Sequence, residues 1–246
     1  MTVRELLDRF VFVSHCVGCG EILSYEQSKG AFCPSCRTLY DEAKTANCAL
    51  CYREATACTC MPKLLSRGGA LCLRRLGFYD KAREHTPFNR LIYRLKHSPN
   101  RRLECFVAQE LARLVREELL VLELNDPATD AVLVYLPRTR RARRDEGFDQ
   151  SERIVHAMSE TLAIPAVSAI VRSRNSHVQK ALTASERARN AKESFRCHNE
   201  TLVRGKYVIL VDDVVTTGAG MGACVRLLMK AGARGVLCVC MASAKN

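Results

Sequence analysis

Tyr207 to Val211 is an unbroken run of Tyr, Val, Ile, Leu and Val that leads into Asp212-Asp213-Val214-Val215-Thr216-Thr217-Gly218. A β-strand sends successive side chains to opposite faces, so a strand without polar alternation must be buried on both. Helices must then cover a parallel sheet above and below, which is an α/β architecture. Such sheets take ligands beyond the C-terminal ends of their strands, and Asp212 and Asp213 are expected at that edge. Thr216, Thr217 and Gly218 follow with hydroxyl donors, backbone N–H groups and a residue without Cβ. Met221 to Ala231 then has amphipathic helical spacing, which puts a helix N-terminus and its favourable dipole behind the turn, where a phosphate is welcome.

Two carboxylates beside a phosphate site would repel a bare phosphate, so they need another task. Accepting hydrogen bonds from two vicinal sugar hydroxyls fits, and the whole reads as a phosphosugar cradle. A buried strand ending at a solvated Asp pair with a Thr N-cap accounts for the turn, but not for an acid pair followed by four small residues. Four apolar residues, two acids, two apolar residues and Thr-Thr-Gly resemble the PRPP-binding motif of type I phosphoribosyltransferases. Neither G-x-x-x-x-G-K-[ST] nor a G-x-G-x-x-G after a strand occurs, so the signatures of a nucleoside triphosphatase and of a dinucleotide enzyme are missing.

Fourteen cysteines are present in the 246 residues. No stretch reaches the roughly 18 apolar residues of a membrane span, and Asp8 and Arg9 interrupt the first apolar segment too early for a signal peptide, so a cytoplasmic location is expected. A reducing compartment disfavours disulfides, which makes metal binding the better explanation. Cys16-x2-Cys19 and Cys33-x2-Cys36 have the paired-knuckle spacing of a zinc ribbon and predict a closed, structural site. Cys48-x2-Cys51 and Cys58-x-Cys60 form a second, more contracted set, for which an unmetallated or redox-prone cluster is the alternative. Cys72, Cys105, Cys197, Cys224, Cys238 and Cys240 are dispersed and read as small core residues. The formal net charge of +12 falls to about +8 if eight thiolates hold two Zn²⁺ ions. A chain this basic suits an anionic small molecule or nucleic acid equally.

Pro62, Ser66, Gly68 and Gly69 break periodicity, and the boundary is expected there: a double zinc-binding module over 1–66 and a transferase-like domain over 67–246. Strands are expected at 70–79, 131–136, 166–172, 206–211 and 235–241, with helices at 87–96, 103–120, 148–162 and 221–231. Their alternation implies a doubly wound, mostly parallel sheet. Between strand 131–136 and the next helix, Arg138, Arg140, Arg141, Arg143 and Arg144 crowd one loop, suited to a pyrophosphate or to a nucleic-acid-binding face. The polar stretch 173–194, with Gln179, Lys180, Arg187, Arg189 and Asn190, has the length of a lid.

With these pieces in order, the chain resembles the ComF family, a zinc-binding segment fused to a type I phosphoribosyltransferase domain. The marks are the four cysteine pairs, Leu95-Lys96-His97, Arg140-Arg141 through Gly147-Phe148-Asp149-Gln150, Gln179 through Asn190, Phe195 and Val211 to Gly218. The resemblance implies PRPP binding with Mg²⁺ and phosphoribosyl transfer with release of pyrophosphate. Asp212 and Asp213 would orient the ribose, Thr216, Thr217 and Gly218 would hold the 5′-phosphate, and Arg140, Arg141, Arg144, Gln179 and Arg187 are pyrophosphate or lid candidates. No residue stands out as a general base. Departures from the family pattern are His97 for Tyr, Glu146 for Arg, Asp149 for Asn, Gly220 for Thr and the contracted pair Cys58-x-Cys60. The chain stops at Asn246, soon after its last expected strand, so no C-terminal hood is expected, and the acceptor is read elsewhere or there is none. The alternative function is an accessory protein of competence and DNA uptake, with single-stranded DNA or an uptake helicase complex as partner and PRPP binding regulatory or vestigial.

Overall fold

The computed structural model describes residues 13–79, 85–124, 126–173 and 194–244. Its central sheet has four parallel strands, β1 (Cys72–Tyr79), β2 (Ala131–Tyr135), β5 (Tyr207–Val215) and β6 (Gly235–Ala244), in the order β1-β6-β5-β2. Period-two alternation divides their apolar residues between two cores. Leu133, Tyr135, Ile209, Val211, Leu237 and Val239 face one, and Val132, Val134, Val208, Leu210, Cys238 and Cys240 face the other. That division explains why β5 carries no polar alternation.

The first core is covered by α1 (Pro34–Thr45), α3 (Pro87–His97), α4 (Arg101–Val121) and α7 (Gln150–Leu162). The second is covered by α2 (Lys63–Ser66), α8 (Ala219–Lys230) and an antiparallel pair, β3 (Ile170–Arg172) with β4 (Phe195–Cys197). Two short helices, α5 (Pro127–Asp130) and α6 (Arg140–Glu146), flank β2. Helix starts carry their expected chemistry. Thr86 accepts the Asn89 N–H ahead of Pro87, Asn100 accepts the Leu103 N–H, and Glu104 returns a bond to the Asn100 N–H. Glu104 is buried and also takes two bonds from Arg153, at 2.6 and 3.0 Å, which ties α4 to α7.

Three expectations change in detail. The strand expected at 166–172 is divided: Ala166 makes a parallel bridge to Leu133, whereas Ile170–Arg172 turns away to pair with β4. The arginine loop contains helix α6, capped by Thr139, whose hydroxyl accepts the Ala142 N–H. Strand β5 runs to Val215, four residues further than expected, because β6 extends alongside it to Ala244. Helix α1 was not foreseen; Pro34 at its first turn and buried Tyr40 define it.

The cysteine-rich segment is joined to the sheet layer by a buried aromatic group, Phe32, Tyr40, Phe88 and Phe106, with ring centroids 4.9 to 5.8 Å apart. Arginines add a second attachment. Arg90 donates to the Gly18 carbonyl and Arg102 to those of Gly30 and His15, beside the first cysteine set. Arg74 donates to Thr56 O and Arg75 to Cys60 O, beside the second. These four arginines therefore brace backbone instead of facing solvent. No helix among the described residues is long and apolar enough to cross a membrane.

Candidate functional site

Strand β2 stops pairing at Tyr135 opposite Val211, with a last bond from Leu136 N–H to Val211 O at 3.0 Å. On its other side β5 continues beside β6 through Asp212, Val214 and Val215. From Asp212 onward β5 therefore has a free flank where β2 has ended. Past the short α6, the long helix that follows β2, α7, packs on the first core and the helix after β5, α8, on the second, so the chain departs to opposite faces across this gap. That is the topological switch point where open α/β sheets bind ligands.

A cradle of about 80 Å³ lies there, lined by Leu136, Asp212 and Val214 to Met221. Gly218, at φ +70°, is the N-cap of α8, and the left-handed turn it permits folds Thr216 and Thr217 back over the helix start. Thr216 and Thr217 are exposed, and the Thr217 hydroxyl accepts the Ala219 N–H at 3.4 Å. No side chain caps α8 at its N-cap residue, so the positive end of its dipole is directed at the cradle. A Cβ at Gly220 would make only ordinary contacts, 3.8 Å from Leu136 and Phe195. By contrast one at Gly222 would meet the Leu64 and Leu65 backbone, because α8 lies directly on α2.

The acid pair divides its attention. Asp212 lines the cradle, whereas Asp213, on the opposite face of β5, meets Lys96 Nζ of α3 at 3.8 Å. One oxygen of each carboxylate accepts the next backbone N–H, Asp213 N at 2.9 Å and Val214 N at 2.7 Å, which fixes both side chains in place. Burial, and then the neighbouring charge of Asp213, hold the Asp212 carboxyl well above the usual carboxylate range. Nearby, Arg172 is pulled down by burial and partly restored by the charges of Cys224, Asp212 and Asp149. It donates from Nε to Pro137 O at 3.0 Å and stacks on Phe195, 4.5 Å from the ring centre. The sequence reading passed over Arg172; its only signal was a cation at the end of an apolar strand.

Asp149 is a structural carboxylate. At 2% exposure it accepts the Arg138 N–H at 2.9 Å and the Glu152 N–H at 3.5 Å, so it caps α7 and pins the turn after β2. Burial raises its carboxyl above the ordinary value. Arg140, Arg141 and Arg144 lie exposed on α6; Arg141 pairs with Asp145 at 3.5 Å, and Arg140 and Arg144 make no ion pair among the described residues. No hydrogen bond or ion pair among the described residues joins these three to the cradle. Helix α6 instead reaches α3 through Glu146, whose Oε1 lies 3.0 Å from His97 Nδ1. Gln179 and Arg187, with most of the expected lid, fall outside the described residues.

The eight N-terminal cysteines come together as two groups, Cys16, Cys19, Cys33 and Cys36, and Cys48, Cys51, Cys58 and Cys60, with all ligand atoms in each group within 4.8 Å of one another. Cys19 and Cys33 sulfurs are 3.7 Å apart, and Cys51 and Cys58 sulfurs 3.6 Å. A tetrahedral ion with Zn–S bonds of about 2.3 Å needs sulfurs about 3.8 Å apart, so the donor set and its spacing fit. Burial pushes the Cys16 thiol up, but the N–H groups of Cys33, Cys19 and Gly18 outweigh it and bring the thiol to about 7. Cys48 reaches about 7 in the same way, against burial, through Cys51 and Leu50. Each group thus has the N–H-to-sulfur knuckle that favours a thiolate. The dispersed cysteines Cys72, Cys224, Cys238 and Cys240 are buried in the cores, and Cys105 and Cys197 are half-buried.

Residues 149–246 match the phosphoribosyl transferase domain family. The chain is 35% identical over 162 residues to the DNA utilization protein YhgH of Escherichia coli (strain K12), a match covering 63% of this chain and 66% of that protein, just under two thirds. It is 28% identical over 215 residues to competence protein F of Haemophilus influenzae, covering 81% of this chain and 91% of that one. Among solved structures, the allosteric regulatory enzyme of purine biosynthesis overlaps 61% of this chain and 30% of its own, at 18% identity and a TM-score of 0.37. With a phosphoribosyl transferase domain over residues 149–246, a parallel sheet and two four-cysteine groups ahead of it, the chain is homologous to competence protein F and YhgH.

Proposed function

We propose that this protein binds PRPP with Mg²⁺ at the end of β5 and transfers its phosphoribosyl group, releasing pyrophosphate. The observation that carries the reading is the cradle itself: a carboxylate, two hydroxyls and a helix N-terminus converge where β5 outlasts β2. The turn from Thr216 to Gly218 holds the 5′-phosphate, with the amide groups at the start of α8 supplying the field. Asp212 and Asp213 take the ribose hydroxyls, Asp213 exchanging Lys96 for sugar. Lys96 is then free for the diphosphate, together with Arg140, Arg141 and Arg144 of α6, and with Gln179 and Arg187 of the lid segment. Mg²⁺, bound with PRPP, supplies charge neutralisation on the departing pyrophosphate.

Residues 1–66 form the metal module, with two structural Zn²⁺ ions on the eight cysteines, and 67–246 the transferase domain. Thiolate ligation of this kind suits a reducing cytoplasm.

The test is isothermal titration of PRPP with and without Mg²⁺, on wild type and on Asp212→Asn/Asp213→Asn. Binding that needs Mg²⁺ and disappears in the double variant supports the reading; unchanged binding in the variant rejects the ribose role.

A second reading, an accessory factor in DNA uptake that handles single-stranded DNA or an uptake helicase complex, draws on the similarity to a DNA utilization protein and a competence protein and on exposed Arg140 and Arg144. Against it stands the engagement of Arg74, Arg75, Arg90 and Arg102 with backbone carbonyls. DNA titration across salt separates the two, since phosphate-dominated binding weakens linearly in log–log form and a flat slope excludes it.

A further inference from the structure

The two cysteine groups are fastened to opposite faces of the sheet. Cys16, Cys33 and Cys36 pack into the first core. The second group leads from Cys60 through Met61, which packs on the second core, to Pro62, the N-cap of α2. One residue therefore separates the last thiol from the start of a helix whose Leu65 is fully buried in that second core.

Helix α2 closes on the cradle from behind. A Cβ on Gly218 would lie 3.1 Å from Pro62 Cβ and 3.1 Å from Leu65 Cβ, and one on Gly222 3.0 Å from the Leu64 carbonyl carbon. Pro62 and Leu65 thus back the left-handed turn that presents Thr216 and Thr217, although neither lines the cradle itself. At the other end, Arg75 of β1 donates to the Cys60 carbonyl. Arg75 is 2% exposed, makes no ion pair with a carboxylate among the described residues, and its Nε has no hydrogen-bond partner there. Its neighbour Arg74, by contrast, pairs with Glu117 and Glu118. Four thiolates around one divalent cation carry two net negative charges, the counter-charge a buried guanidinium requires.

We infer that metal occupancy of Cys48, Cys51, Cys58 and Cys60 sets the phosphate affinity of the cradle, with Arg75 and α2 as the strut between them, and that the first cysteine group has no such hold. The inference rests on the phosphosugar reading of the cradle proposed above and adds a regulatory input to it. While the thiolates are gathered, Arg75 keeps its counter-charge, Cys60 stays on β1, and Pro62 and Leu65 hold the Gly218 turn against the start of α8. When they disperse, the buried guanidinium loses that charge and the turn loses its backing, so the amides that face the phosphate no longer converge. Cys58, Cys60 and Pro62 are positioning residues in this scheme. Coupling between two sites of one protein is typically about 5–150-fold in affinity.

The test compares amide exchange of the ligand-free, zinc-loaded full chain with titration of PRPP and Mg²⁺. Cys58→Ser/Cys60→Ser should hold one zinc and exchange faster over residues 219–226, the first two turns of α8, while β2 and α7 keep wild-type protection. It should also bind PRPP at least about fivefold more weakly. Cys16→Ser/Cys19→Ser should hold one zinc as well, with both readouts at wild type. Pro62→Gly keeps all eight cysteines and both metals but loosens the strut, so it should quicken the same exchange; it decides the matter where the cysteine variant does not fold. Wild-type exchange over 219–226 in Cys58→Ser/Cys60→Ser or in Pro62→Gly overturns the strut, and so do equal effects from the two cysteine variants. Faster exchange with wild-type PRPP affinity overturns the control of affinity. Wild-type protein that binds no PRPP, yet loosens α8 when the second group is cut, keeps the strut and overturns the phosphosugar reading.

Discussion

Replacing Gly222 by Ala tests whether α8 owes its position to contact with α2. The added Cβ would lie 3.0 Å from the Leu64 carbonyl carbon, 3.2 Å from Leu65 Cα and closer still to the Leu64 carbonyl oxygen. These are backbone atoms, not the ends of flexible side chains, so relief requires α2 or α8 to move. Overpacking of this kind costs about 1–3 kcal/mol, and rigid neighbours argue for the upper part of that range. Against it stands the helix-propensity gain of Gly to Ala, about 1 kcal/mol. The net is a loss of about 1–2 kcal/mol, or a fall in Tm of about 2–8 °C for a chain of this size.

Gly220→Ala supplies the control two residues earlier on the same helix. Its Cβ would have 3.8 Å contacts, so the propensity gain of about 0.5–1 kcal/mol is kept and Tm rises. Because the N-terminus of α8 borders the cradle, Gly222→Ala should also weaken the proposed PRPP binding. Thermal melts and titration calorimetry on both variants read the result. A Gly222→Ala protein as stable as Gly220→Ala would refute the close approach of the two helices.

Asp212→Asn should raise stability at neutral pH while removing PRPP binding. The folded-state carboxyl is raised by burial and by Asp213, so its stabilising share is present at low pH and lost as pH rises through the folded value. The advantage of Asn should therefore be absent below the unfolded value of about 3.9 and grow as pH rises above it, seen as a widening Tm difference. Asp149→Ala should cost about 1–2 kcal/mol in urea denaturation, because it removes the cap of α7 and the partner of the Arg138 N–H. Elemental analysis should find two zinc ions per chain, falling to one in Cys58→Ser. Stripping the metal with a chelator should expose the carbonyl-bound guanidinium groups of Arg74 and Arg75, read as faster amide exchange across β1.

How much of this was legible in the chain depends on the range of the interaction. Strand β5, the turn at Gly218, helix α8 and the cysteine pairs follow from local rules. Apolar periodicity, a small residue at a left-handed turn and ligands two apart act within a few positions, and each emerged within a few residues of its expected limits. The extension of β5 through its acid pair did not, since it is imposed by β6 as a neighbour and by the early end of β2. The arginines misled for the same reason. Arg74, Arg75, Arg90 and Arg102 look like free charge in a composition, but they serve carbonyls tens of residues away. Asp149 stood out only as a departure from the Asn of the family pattern, and packing made it a buried cap.

The order of residues alone was enough to determine a parallel sheet under helices, a tight turn at Gly218 between β5 and α8 and two thiol centres at the front, because those depend on period, spacing and turn chemistry. Which carboxylate faces the cradle, which faces Lys96, and that His97 meets Glu146 were decided only when separate helices and strands packed. The pleat sends Asp212 and Asp213 to opposite faces, and contacts between α3 and α6 join residues 49 positions apart, a separation no local rule can span.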